Sequence, residues 1–184
     1  MIYVTGNNKK FEEAQIILNK IKLQQCDLDL PETQGSCTDI LRAKAQDAWK
    51  LLEKPFIIED VSFEAEALGG MPGPYIKDFL FALANKNLTL FDILSPLGNT
   101  KATAVCSVAF VKNKDEIITA SGQSSGTVVS PKGDLNHGKV SFNKVFRPKE
   151  SHKTYGEMTM KEHALYSARS RALKKLLISL SPDL

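Results

Sequence analysis

Cysteine is scarce in this chain, with Cys26, Cys37 and Cys106 the only three among 184 residues. Three is an odd number, and none of them forms a Cys-x-x-Cys pair. A disulfide framework or a structural zinc site is therefore not expected, and a reducing, cytoplasmic compartment is. No run approaches the ~18 apolar residues of a membrane-spanning helix. The opening Met1-Ile2-Tyr3-Val4-Thr5-Gly6 lacks the basic segment and long apolar core of a secretory signal. Charge of one sign is not in large excess: 24 basic against 21 acidic residues leave +3. Nothing here demands a polyanion such as duplex DNA, although a small phosphorylated ligand is permitted. No internal repeat occurs. There is no Walker Gly-Lys-Ser/Thr ending, no His-Glu-x-x-His and no Gly-x-Ser-x-Gly elbow. His137, His152 and His163 show no metal-ligand spacing.

What is present has the balance of a soluble globular protein, with 42% apolar and 24% charged residues. The length fits one domain over residues 1–184. Ile2 to Thr5 reads as a strand, broken by Gly6-Asn7-Asn8. A helix follows, because Phe11, Ala14, Leu18 and Ile21 recur at steps of three and four. Leu23 to Leu28 suits a second strand, and Leu30 to Gly35 a loop. Thr38 is placed to cap a helix whose stripe is Leu41, Ala45, Ala48, Trp49 and Leu52. Pro55 ends it. Phe56-Ile57-Ile58 reads as a short buried strand ending in Glu59-Asp60. Gly69 to Pro74 is too dense in glycine and proline for regular structure. Tyr75–Leu83 and Leu88–Leu94 suit helices. Ala102–Val111 and Glu116–Ser121 suit a hairpin, which Gly126–Val129 extends. Pro131 to Arg147 is a long polar loop, of the length that is often functional. Thr159 and Glu162 form a capping-box pattern before one last helix marked by Leu165, Ala168, Ala172, Leu173, Leu176 and Leu180. The whole is a mixed α/β or α+β single domain.

Three groups of residues carry candidate chemistry. Thr5-Gly6-Asn7-Asn8-Lys9-Lys10 joins a strand to a helix N-terminus, whose amides and dipole suit an anion within reach of Lys10. The plainer reading is an ordinary turn capped by Asn8. Glu59 and Asp60 are costly to hold ionised at the end of a buried strand unless something compensates. A hard divalent cation, magnesium in the usual case, would do so, with Glu32 as a further carboxylate. The plainer reading is that both carboxylates leave the core and are solvated or salt-bridged. Lys44, Lys77 and Arg169 sit on helices, where a charge is ordinarily a solvated face, but Arg169 falls beside the apolar stripe and is able to point inward. Cys106 lies in an apolar run and reads as core. Covalent catalysis has no support, and metal-assisted hydrolysis of a phosphoanhydride fits the residues best.

In order along the chain stand Thr5-Gly6-Asn7 with Lys10, Leu30-Pro31-Glu32-Thr33-Gln34-Gly35, Ile58-Glu59-Asp60, and Ala67 to Lys77 (ALGGMPGPYIK). Lys153-Thr154-Tyr155-Gly156-Glu157-Met158 and Ser167 to Leu173 (SARSRAL) complete the set. Together they resemble the inosine triphosphate pyrophosphatase family over nearly the whole chain, roughly residues 2–176. The resemblance implies an elongated α/β fold, a mixed sheet with flanking helices forming two lobes around a central cleft, and a homodimer. It implies magnesium-dependent hydrolysis of ITP, dITP and XTP to the monophosphate and pyrophosphate. By that resemblance Thr5, Gly6, Asn7 and Lys10 hold the triphosphate. Glu32 and Asp60 bind metal, and Asp60, with Glu59 beside it, activates water. Lys44, Lys77 and Arg169 neutralise phosphate.

The resemblance breaks at the end of the cleft where the family recognises the base. The family's Phe-Gly-Trp/Tyr-Asp becomes Val140-Ser141-Phe142-Asn143, so an asparagine stands for the aspartate. Ser-His-Arg becomes Ser167-Ala168-Arg169. A family lysine aligns with His163, and the hydroxyl residue after the aspartate becomes Val61, with Ser62 next. Asparagine both donates and accepts where aspartate only accepts, so a shifted or relaxed base preference is expected. The competing expectation is a nucleotide-binding protein with weakened catalysis, acting as sensor or partner subunit. Retention of Lys10, Glu32 and Asp60 favours the enzyme. Nucleic-acid binding has little support, since Trp49 belongs to a core face.

Overall fold

A computed structural model describes residues 1–31, 33–135 and 140–180. Glu32 and part of the 131–147 loop lie outside the described residues. The elements in order are β1 (Ile2–Val4), α1 (Asn8–Ile17), β2 (Gln24–Cys26), α2 (Cys37–Leu52), β3 (Phe56–Ala65), β4 (Pro72–Gly73), α3 (Ile76–Ala84) and α4 (Leu90–Leu94). Then come β5 (Lys101–Val111), β6 (Ile117–Val128), β7 (Phe146–Pro148), α5 (Met160–Tyr166) and α6 (Ala168–Leu180). The sheet runs β2-β1-β3-β5-β6-β7, with β4 paired to β3. β1 is parallel to β2 and β3, and the remaining pairs are antiparallel. The expected mixed sheet with flanking helices is therefore what forms.

Strand alternation sorts the core into two clusters. Phe56 and Ile58 of β3, with Ala109 and Val111 of β5, pack against Leu41, Ala45 and Ala48 of α2. Ile57, Phe63 and Ala65, with Cys106 and Val108, face the other way, among α1, α3 and α6. The period of two along a strand gives each face its own helices.

Four expectations change. β3 is ten residues long, so Glu59 and Asp60 lie inside it rather than at its end. The strand passes through both carboxylates because cations on each face compensate them. α2 is capped by Ser36, not Thr38, with Ser36 Oγ accepting from the Asp39 amide. The glycine- and proline-rich stretch contributes the two-residue strand β4. The last helix is two helices. Ser167 between them is extended, at φ −68° and ψ 148°, and its hydroxyl accepts from the Ser170 amide, so it starts α6 anew. α6 then approaches β6 at Gly122, where a Cβ would come within 2.3 Å of the Ala168 carbonyl oxygen. That approach delivers Arg169 to the sheet.

Candidate active site

One cleft of about 500 Å³ gathers the candidate residues from far-apart parts of the chain. Thr5, Gly6, Asn7 and Lys10 come from the β1–α1 turn. Lys44 comes from α2, Glu59 and Asp60 from β3, and Lys77 from α3. Phe142 and Asn143 precede β7, His163 lies on α5, and Arg169 opens α6. Every site residue expected from the sequence lines this cleft, apart from Glu32, which lies outside the described residues.

The β1–α1 turn is built by its own side chains. Asn7, not Asn8, is the N-cap, and its side-chain oxygen accepts from the amides of Lys9 (3.0 Å) and Lys10 (3.2 Å). Two helix amides are thereby occupied, so an anion at this turn would meet mainly the Lys10 side chain. A Cβ at Gly6 would sit 2.4 Å from Asp27 Oδ1, so a larger residue there would displace the exposed Asp27 side chain. Asp27 also lines the cleft and was not expected from the sequence.

Glu59 and Asp60 are neighbours in sequence but face opposite sides of the sheet. Glu59 meets the α1 and α6 side. Arg169 donates from Nε to its Oε2 (2.6 Å) and from Nη2 to its Oε1 (2.8 Å). Tyr3 donates its hydroxyl to Oε2 at 2.6 Å, and Lys10 Nζ lies 3.3 Å from Oε1. Burial alone would raise the Glu59 pKa. The charges of Arg169 and Lys10 and the hydrogen bonds from Arg169 and Tyr3 more than reverse this, leaving it at about 2. Glu59 is thus a fixed anion and a poor base. Burial pushes the Tyr3 hydroxyl well up, so it stays a donor. Burial likewise raises the Cys106 thiol, which agrees with a core role.

Arg169 is inward-facing and buried, and three of its nitrogens go to carboxylates. Its Nη1 donates to Glu13 Oε2, and Ser167 Oγ donates to Glu13 Oε1. Glu13, wholly buried on α1, was missed by the sequence reading. The signal available was its place beside Ala14 on the inner face of α1 and one turn after Lys10. His163 Nδ1 approaches Glu13 Oε1 at 3.2 Å, and its ring meets Tyr155 edge-on with centroids 4.4 Å apart. The Gly156 amide donates to the Asn143 carbonyl at 2.8 Å. Asn143, His163 and Ala168, three departures from the family pattern, are all buried and line the same cleft. Phe142 meets Phe63 with the rings tilted by 40° and centroids 4.7 Å apart.

Asp60 faces α2, where Lys44 Nζ donates to its Oδ1 at 2.8 Å. Its Oδ2 is buried and has no hydrogen-bond partner. An unpartnered buried carboxylate oxygen costs about 1–3 kcal/mol or more and calls for a ligand. A hard divalent cation, which takes oxygen donors, fits this atom. Among the described residues no three His, Cys, Asp or Glu side chains gather as a metal site. Asp60 would therefore share such an ion with substrate oxygens, water or residues outside that set.

Fold and site together define an α/β protein whose cleft sets an available carboxylate oxygen beside lysines, as phosphate handling with a cation requires. The sequence model of the Ham1 family matches residues 1–178, and the chain belongs to that family. It is 38% identical to the inosine triphosphate pyrophosphatase of Yarrowia lipolytica, covering 98% of this chain and 95% of that one. It is 37% identical to the protein of the same name from Puccinia graminis f. sp. tritici, covering 96% and 94%. Among solved structures, a HAM1 protein from Coxiella burnetii superposes with a TM-score of 0.80 at 21% identity, over 98% of each chain. A nucleoside-triphosphatase, dITP/XTP pyrophosphatase, from Mycobacterium abscessus gives 0.70 at 25% identity, over 97% of this chain and 98% of that one.

Proposed function

We propose that this chain hydrolyses nucleoside triphosphates, with ITP, dITP and XTP as substrates, to the monophosphate and pyrophosphate. The observation that carries the reading is the convergence of the expected residues on one cleft, around the unpartnered Asp60 Oδ2. The named activity of relatives near 38% identity over almost the full chain supports it. No observation favours a nucleotide-binding sensor without catalysis.

In this reading Asp60 orients and deprotonates the water that attacks the α-phosphorus. Charge then grows on the departing pyrophosphate, where Lys10, Lys44 and Lys77 stabilise it. Lys10 and Lys44 start out paired with Glu59 and Asp60 and turn toward phosphate as it arrives. Arg169 acts through Glu59 and Glu13, holding the floor of the cleft. Asp60, with Glu32, would hold magnesium, which supplies Lewis-acid stabilisation of phosphate oxygens. Phe142, Asn143 and His163 face the base, and their departure from the family pattern shifts the preference among purines. Thr5 and Asn7 shape the turn that carries Lys10.

The protein works as a cytoplasmic homodimer without a nucleic-acid or membrane partner, so light scattering should give twice the mass of one chain. Among the described residues, no helix is long and apolar enough to cross a membrane. The deciding experiment is pyrophosphate release with magnesium from ITP, dITP, XTP, dUTP and the four standard triphosphates. Turnover of the deaminated purines above the metal-free blank is expected. No turnover of any of them would sink the reading, and the ranking among them reports the base preference.

A further inference from the structure

Two buried oxygens on β3 lack hydrogen-bond partners: Asp60 Oδ2 and Ser62 Oγ. They are two residues apart, so they project from the same face of the strand. The environment confirms this. The charges of Asp60 and Glu64 both reach the Cys37 thiol at the start of α2, and the Ser62 hydroxyl lies on the same side, near that thiol. That thiol does not complete a hydrogen bond with Ser62 Oγ. Ser62 is 1% exposed. A hydroxyl so deeply buried and unpartnered calls for a polar occupant. Side chains at positions i and i+2 of a strand start about 6.6 Å apart. One water making bonds of about 2.8 Å to each tip spans that interval.

We propose that Ser62 is a positioning residue of the Asp60 face: its hydroxyl and Asp60 Oδ2 hold one water between them. This rests on the reading of Asp60 given above. The hydroxyl acts where a preceding residue could not. Val61 projects to the Glu59 side of the sheet, so only a hydroxyl at position 62 shares a face with Asp60. Ser62 donates to or accepts from the water, which fixes the water's second proton and lone pair relative to the carboxylate. A cation held by Asp60 would gain the same support from the Ser62 hydroxyl acting on its surroundings. Outer partners of this kind change metal affinity by about 10–100-fold.

The test is titration of the nucleotide-free protein with Mn²⁺, followed by electron paramagnetic resonance, with steady-state kinetics beside it. Ser62→Ala should weaken Mn²⁺ binding about tenfold and lower kcat while leaving KM for the nucleotide near the wild-type value. Ser62→Thr keeps the hydroxyl and should restore both. The melting temperature of Ser62→Ala should stay near the wild-type value, so that the loss of Mn²⁺ binding reads as a local effect and not as unfolding. Equal Mn²⁺ affinity in wild type and Ser62→Ala, or no Mn²⁺ binding to wild type, overturns the proposal. A wild-type protein that binds Mn²⁺ in a Ser62-dependent way but releases no pyrophosphate supports this inference and sinks the activity instead.

Discussion

At the scale of single residues, the two central carboxylates divide their work because a strand sends them to opposite faces. Asp60 has an oxygen to offer, and Asp60→Asn should lower pyrophosphate release by about 100-fold or more. Circular dichroism should be unchanged, so the loss reads as chemistry. Glu59 is locked by Arg169, Tyr3 and Lys10. Removing one partner of a buried ion pair strands the other, at a cost of about 3–5 kcal/mol. Glu59→Gln should therefore lower the urea midpoint strongly. The pH dependence has a definite sign. The folded pKa of Glu59 is about 2, below its ordinary 4.5. Its contribution is present above pH 4.5 and is lost as pH falls toward 2, and it amounts to about 3 kcal/mol. Urea unfolding of wild type from pH 6 to pH 2 should show that acid limb, and Glu59→Gln should lack it.

At the scale of elements, the site depends on where α6 begins. Ser167 stops α5, restarts the helix and also binds Glu13. One residue thus sets a helix boundary and a wall of the cleft. The approach of α6 to β6 is equally tight, since a Cβ on Gly122 would lie 2.4 Å from the Ala172 nitrogen. Gly122→Ala must push the two apart. The expected cost is about 1–3 kcal/mol, with activity falling because Arg169 moves off Glu59. A thermal melt and an ITP assay check both parts, and a fully active variant of unchanged stability would refute the link.

At the scale of the molecule, one sheet carries both apolar clusters, so residues 1–184 should unfold as one unit. Trp49 packs against the α2 cluster, whereas most of the other helices pack on the opposite face. In urea, tryptophan fluorescence and far-ultraviolet circular dichroism should give superimposable transitions. Separate midpoints would show two units joined at the cleft.

The sequence by itself determined most of the elements and most of the cleft's inventory. Apolar periodicity marks α2 and the β5–β6 hairpin because burial of one face dictates it. The ordered motifs name Lys10, Asp60 and Lys77 because those residue types suit phosphate and metal. Only the tertiary structure decided what the charges do. Glu13 looks like a surface residue until α6 closes over it, and Arg169 shows its ion pairs with Glu59 and Glu13 only once the chain is folded. The ten-residue length of β3 was hidden because two adjacent carboxylates read as a strand end. Their compensating cations lie 16 and 110 residues away in sequence. Local pattern reports which faces are apolar. The partner of a buried charge is set by long-range packing, because desolvation makes an ion tolerable only where the fold brings its counter-ion.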